Sequence, residues 1–190
     1  MNASLARFAG ALGLALALAS GAHHEAKPRV ERGPKGWPVA DFALVDQQGA
    51  ALARDALLDR WTFVVFGDTA CLERCTPALA ALATLSKRIG ATQVIRDTRV
   101  LFVSRDERDT PARLRDFVAR YDDRWVAATG SVQAVTQLAD ELGILGKAAG
   151  AAVVLVGPDG SMQAEYLPPY DALLITADYL KMRKCRGCGP

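Results

Sequence analysis

The sequence predicts an α/β layer protein, with strands and helices alternating along the chain before a closing hairpin and a last helix. Three observations carry that expectation. The runs WTFVVFG (61–67) and RVLFVS (99–104) are apolar and β-branched, as buried strands are. Between them Leu79, Leu82 and Leu85 recur at helical spacing. Finally, Thr110 ahead of Pro111, and Ser131 ahead of VQAVTQLADEL, stand where helices start. A chain of 190 residues is long enough for one domain with a proper core.

The elements follow in order. DFALVD (41–46) alternates like a half-buried strand and QQG is a turn, so a strand precedes the central layer. WTFVVFG suits a central strand, and the segment from Thr76 to Ile89 is expected to be its helix. RVLFVS is a second buried strand, followed by the helix of DTPARLRDFVARY. RWVAAT (124–129) reads as a third, short strand and SVQAVTQLADEL as another helix. AAVVLVGPDGSMQAEYL (151–167) reads as strand, turn at Gly157–Gly160, strand, and YDALLITADYLKM (170–182) as a closing amphipathic helix.

Residues 1–22 hold one early cation, Arg7, then an uncharged stretch of about 15 residues with small residues near its end. That stretch is short for a membrane span. It predicts a signal peptide cut after Ala19 or Ala22, with an uncleaved membrane anchor as the alternative. No cysteine lies there to take a lipid. The protein is therefore expected to be exported, to the periplasm or cell envelope, with membrane contact only if the segment stays. Residues 23–38, rich in charge, Pro and Gly, read as a flexible lead-in. Loss of residues 1–22 removes one arginine and no acid, lowering the formal net charge from +2 to +1. Neither that balance nor any aromatic-and-basic stripe suggests nucleic acid.

Four cysteines in an exported chain suggest disulfides. Here they form two tight pairs, Cys71/Cys75 and Cys185/Cys188. So short a loop constrains the unfolded chain little, so a stapling role is weak and chemistry is favoured. The first pair sits where the first central strand gives way to its helix, the place where a thioredoxin-like fold carries its reactive pair. A helix N-terminus stabilises a thiolate through unpaired N–H groups and the dipole. Residues four apart share a helix face at about 6 Å, which permits a reversible disulfide or a two-thiolate grip on a soft ion such as Cu(I). Arg74 favours thiolates and Glu73 opposes them.

These residues resemble the SCO/SenC family, exported thioredoxin-like factors that assemble the copper centre of respiratory cytochrome oxidases. The resemblance runs through DFALVDQQG, VVFGDTACLERCTPALAAL, VLFVSRDERDTPARLRDFVARYDDRWVAATGS, VVLVGPDG and the final helix. It implies a domain over 39–183: a central sheet flanked by helices with an N-terminal strand extension; the residues after it, 184–190, read as a CxxC tail. It also implies that Cys71 and Cys75 correspond to the family's copper-binding cysteines. The family's histidine has no counterpart: its position falls near Ala149, and the only histidines are His23 and His24. Nearby, Asp68, Ala70, Leu72 and Thr76 replace the tyrosine, histidine and two prolines of the family pattern FGYTHCPDVCP, and a proline before Glu107 is missing.

Without a nitrogen ligand, two thiolates suit Cu(I) but hold Cu(II) poorly. Two leading functions result. One is thiol–disulfide exchange, needing no cofactor, with Cys71 attacking, Cys75 resolving, and a cysteine-containing protein such as an oxidase copper subunit as substrate. The other is a Cu(I) carrier without turnover. An inert structural or interaction member of the fold is the third. Cys185 and Cys188, set among four cations, are candidate accessory residues that could exchange electrons with Cys71/Cys75 or complete a metal site with them. His23 and His24 would chelate Cu(II) only if cleavage left GAH at the N-terminus, and read otherwise as solvated linker. Asp106, Glu107 and Asp109 read as helix-start residues rather than a catalytic carboxylate cluster.

Overall fold

The computed structural model describes residues 28–32, 38–144 and 152–185. The signal segment, His23 and His24, the region of Ala149, and Cys188 lie outside them.

The strands are β1 (Arg29–Arg32), β2 (Ala43–Asp46), β3 (Ala51–Ala53), β4 (Trp61–Gly67), β5 (Thr98–Ser104), β6 (Val126–Thr129), β7 (Val153–Val156) and β8 (Met162–Leu167). The helices are α1 (Leu72–Ile89), α2 (Pro111–Ala119), α3 (Val132–Glu141) and α4 (Ala172–Lys184). The strands form one mixed sheet in the order β1-β8-β7-β4-β5-β6-β2-β3. β4, β5 and β6 run parallel, joined through α1 and α2, while the remaining pairs are antiparallel. Helices cover both faces, so the α/β layer expectation holds.

Every residue of β4 is buried, which is why its sequence is continuously apolar rather than alternating. Its odd-numbered side chains, Trp61, Phe63 and Val65, pack with α1, α2 and α4. Val64 and Phe66 join the opposite core with Leu101, Val103, Val154 and α3. Tyr179 of α4 seats edge-on against Trp61 and Phe63, at ring separations of 5.7 and 5.1 Å.

The sequence reading differs from the structure at several elements, among them β3 (Ala51–Ala53), which it left unassigned. α1 begins at Leu72, not Thr76: the first turn has Glu73 at the positive dipole end and needs no apolar residue to form. Pro77 lies inside the helix and removes one N–H donor without ending it. Within the expected lead-in, Arg29–Arg32 instead forms strand β1, its residues pairing from Arg29 opposite Leu167 to Arg32 opposite Ala164. Backbone hydrogen bonds recruit this charged edge strand, so its side chains carry little strand signal. Lastly, α4 is only narrowly amphipathic: Ile175, Thr176 and Tyr179 are buried while Leu173 is largely exposed.

The helix-start signals are realised as side-chain caps. Thr110 accepts a hydrogen bond from the Arg113 N–H at 3.3 Å, and Ser131 accepts from the Ala134 N–H at 3.2 Å. Ser131→Ala is expected to lower stability by about 1 kcal/mol, read as a shifted urea midpoint at unchanged slope. An unmoved midpoint would show that water replaces this cap without loss.

Candidate functional site

β4 ends at Gly67, and the loop 68–70 carries the chain to α1. Cys71 is the N-cap of α1, and its carbonyl accepts the first helical hydrogen bond from the Cys75 N–H at 3.3 Å. Cys71 and Cys75 are joined by a disulfide with Cα atoms 5.5 Å apart. Both are buried, yet unequally: Cys71 is 8% exposed and Cys75 1%. Glu73 and Arg74 of the intervening turn are exposed.

Close approach fixes the inner sulfur. A Cβ at Gly67 would lie 2.7 Å from the Cys75 Sγ, nearer than real Cβ contacts come, and a tight 3.0 Å from the Phe102 ring. Glycine is therefore required at the end of β4 for Cys75 to fold beneath the loop.

A buried carboxylate fixes the outer part. Asp109 is 2% exposed and lies between β5 and α2. Its Oδ2 accepts from the Thr69 N–H at 2.9 Å and the Ser104 hydroxyl at 2.7 Å, and its Oδ1 accepts from the Thr69 hydroxyl at 2.6 Å. Arg113 adds a donor to the Thr69 hydroxyl at 3.2 Å and sits 3.8 Å from Oδ1. Within the loop, Asp68 accepts from the Ala70 N–H through its side chain and from the Cys71 N–H through its carbonyl. The Arg105 N–H bonds the Gly67 carbonyl at 2.6 Å, tying the ends of β4 and β5.

The three neighbouring carboxylates do separate work. Hydrogen bonds from Arg108 hold the half-buried Asp106 carboxyl down at about 2. Glu107 accepts from the Val132 N–H at the start of α3, and Asp109 braces the cysteine loop. The reading as helix-start residues beside Thr110–Pro111 misses both: Glu107 serves the start of α3 rather than that of α2, and Asp109 serves the loop. One signal was available: Thr110 already caps α2, so the preceding aspartate is spare. Thr69, Ser104 and Gly67 were also missed, because their partners are distant in sequence.

Cys185 is free and exposed at the C-cap of α4. That end of α4 is anchored by the Tyr179–Thr98 hydroxyl contact at 2.5 Å and by Arg183 on Asp97 at 3.1 Å, both at the start of β5. Cys71 lies beyond the other end of β5, about 20 Å away along a seven-residue strand. The fold does not bring Cys185 to the disulfide. Cys188 lies outside the described residues. Among the described residues there is no histidine, and no group of three or more His, Cys, Asp or Glu is placed to hold a metal ion.

Chemically, this is a two-electron disulfide/dithiol couple at a helix N-terminus. A family model described as SCO1/SenC matches residues 33–182. A Stutzerimonas stutzeri protein assigned to copper binding is 26% identical over 147 residues, 72% of each chain. Mitochondrial SCO1 and SCO2 relatives from human, cattle and Arabidopsis are longer, and the matched region covers 34–44% of their length. The structure of yeast Sco1 with copper bound superposes with a TM-score of 0.71 at 20% identity, covering 80% of this chain and 95% of that one. BsSco, in which a disulfide switch was identified and which is a member of the Sco family of cytochrome c oxidase assembly proteins, superposes at 0.63 with 26% identity, covering 78% and 95%. The thioredoxin-like fold expected from the sequence is thereby established.

Two substitutions test the geometry. Gly67→Ala is expected to lower the melting temperature of the oxidised protein more than that of the reduced one, because the reduced Cys75 side chain can turn away from the added methyl. Equal losses would show that the Phe102 contact dominates. Asp109→Ala leaves buried donors without an acceptor and is expected to cost about 1–3 kcal/mol, whereas Asp109→Asn keeps one acceptor oxygen and recovers part of it. Equal losses in both variants would assign the effect to the charge.

Proposed function

Because the chain belongs to the SCO1/SenC family, we propose that it is an exported factor for building the copper centre of a cytochrome oxidase, acting by thiol–disulfide exchange at Cys71 and Cys75. The observation that carries this reading is the disulfide itself, at a helix N-cap with one sulfur more accessible than the other. The likeness to BsSco supports it. Export rests on the composition of residues 1–22.

The dithiol form works as follows. The Cys71 thiolate, stabilised by the end of α1, attacks one sulfur of a substrate disulfide. An S–S bond forms between Cys71 and the substrate, and the other substrate sulfur leaves as a thiolate. The Cys75 thiolate then attacks the Cys71 sulfur, closing the intramolecular disulfide and releasing the second substrate thiolate. The substrate has gained two electrons and takes two protons from solvent, while this protein has lost two electrons. An external dithiol reductant restores the starting form. Cys75, packed against Gly67, is placed to resolve rather than attack. A substrate suited to this chemistry is an oxidase subunit whose copper-ligating cysteines must be reduced before metal loading.

A second reading treats copper as cargo, supported by the copper-bound yeast relative. The donor set suits it only in part. Reduction would free two sulfurs at a spacing compatible with two-coordinate Cu(I), but the described residues offer no third ligand, and Cu(II) prefers nitrogen and oxygen donors. Among the described residues the three-ligand family set is therefore incomplete.

Reduction of a disulfide-bonded peptide copied from an oxidase copper subunit separates these readings. Exchange predicts loss of activity in Cys71→Ser, and in Cys75→Ser a mixed disulfide trapped on Cys71 and visible by mass. A wild-type protein that leaves the peptide oxidised, yet holds one Cu(I) that Cys71→Ser loses, would establish the carrier instead.

A further inference from the structure

Cations from three separate stretches of the chain meet at the end of the sheet opposite the disulfide. α1 and α4 both pack on the face built by Trp61, Phe63 and Val65, and the turn Gln93–Asp97, between α1 and β5, packs there too. Lys87 and Arg88 close α1, Lys181 and Lys184 close α4, and Arg96 lies in the turn; all five are exposed. None of them has an acidic partner among the described residues. Along α2 and its flanking turns, by contrast, Arg108, Arg113, Arg115 and Arg124 each stand beside an aspartate. At the cationic end Asp97 is taken by Arg183, and Asp123, before β6, offsets one charge at most. Other acids of this end lie across the sheet: Asp55 and Asp59 border the turn Arg54–Leu57, and Asp140 and Glu141 close α3, both packed on the opposite core. Two helix C-termini supply about one negative charge between them, which leaves most of the five uncompensated.

We propose that this pole docks on the anionic headgroup surface of a lipid bilayer. The make-up of the patch selects the partner. A protein partner is held by buried aromatic or aliphatic anchors, and the large apolar residues exposed among the described ones lie elsewhere. Val132 and Leu173 open α3 and α4 at the disulfide end, and Val45 lies in β2. Separate charges on flexible side chains, without an apolar centre, match a diffuse anionic sheet, toward which each Lys or Arg raises partition about fivefold. Docking by this pole turns the disulfide, with Val132 and Leu173, away from the bilayer. It is independent of the residues before Arg29, because β1 starts at the disulfide end of the sheet.

The test is partition of the full chain into vesicles of equal parts phosphatidylglycerol and phosphatidylcholine, divided by its partition into pure phosphatidylcholine. Any hold through residues 1–22 is common to both vesicles. Wild type is expected to prefer the anionic vesicles and to lose that preference at high salt. Lys87→Gln/Lys184→Gln is expected to cut the preference about 20-fold. Arg108→Gln/Arg115→Gln, the same loss of charge away from the pole, is expected to keep it. Equal preference in wild type and Lys87→Gln/Lys184→Gln would overturn the proposal. So would an equal loss in both double variants, which would trace the effect to net charge alone. Retention on immobilised polyglutamate with no preference between the vesicles would also overturn it, in favour of an acidic protein partner. Circular dichroism of each variant confirms that a lost preference is not a lost fold.

Discussion

The buried carboxylate of Asp109 is the constraint on which the reactive end of this protein rests. It accepts three hydrogen bonds, two from Thr69 in the loop before Cys71 and one from Ser104 at the end of β5. A carboxylate so placed is tolerable only because donors surround it. Its effect is to join three pieces that are far apart in sequence: the turn out of β4, the end of β5, and the start of α2. The N-cap geometry of Cys71 follows from that junction, since Thr69 stands two residues before it.

Close packing supplies the complementary constraint. Gly67, Phe102 and the Cys75 sulfur occupy a space with no room for another methyl. One cysteine is thus held by packing from below, and the other lies at the end of a loop held by polar bonds. This asymmetry gives chemically identical residues different surroundings. It also explains how a pair can tolerate changes around it: Asp68 and Ala70 depart from the family pattern, yet the Asp68 carboxylate and carbonyl now bond within the loop.

Much of the fold was legible because its strongest signals are local. β4 and β5 announce themselves as unbroken apolar runs, and α2 and α3 by capping residues that prove to be caps. The pair Cys71/Cys75 was legible from its place between strand and helix. What escaped is what depends on distance. Asp109 meets Thr69 across 40 residues, and a local view credits it with helix initiation only. β1 escaped because RVER has no alternating apolar pattern; its partner β8 makes it a strand. The first turn of α1 escaped because Leu79, Leu82 and Leu85 mark only the face that meets the core. The relation of Cys185 to the disulfide was beyond any sequence pattern, since only the course of α4 reveals that it lies at the opposite end of the sheet.

The pairing of β1 with β8 has a mechanical consequence. Arg29 lies opposite Leu167, and β8 in turn meets β7 with Tyr166 opposite Val153, level with Val65 of β4. The chain thus enters the sheet at the edge closest to Gly67 and the disulfide. Tension applied through the residues before Pro28 would orient the molecule with its disulfide end toward the point of attachment and α4's C-terminus pointing away. A leash at that position would act as a compass needle for the domain, holding Cys71 and Cys75 toward the pull and Cys185 away from it.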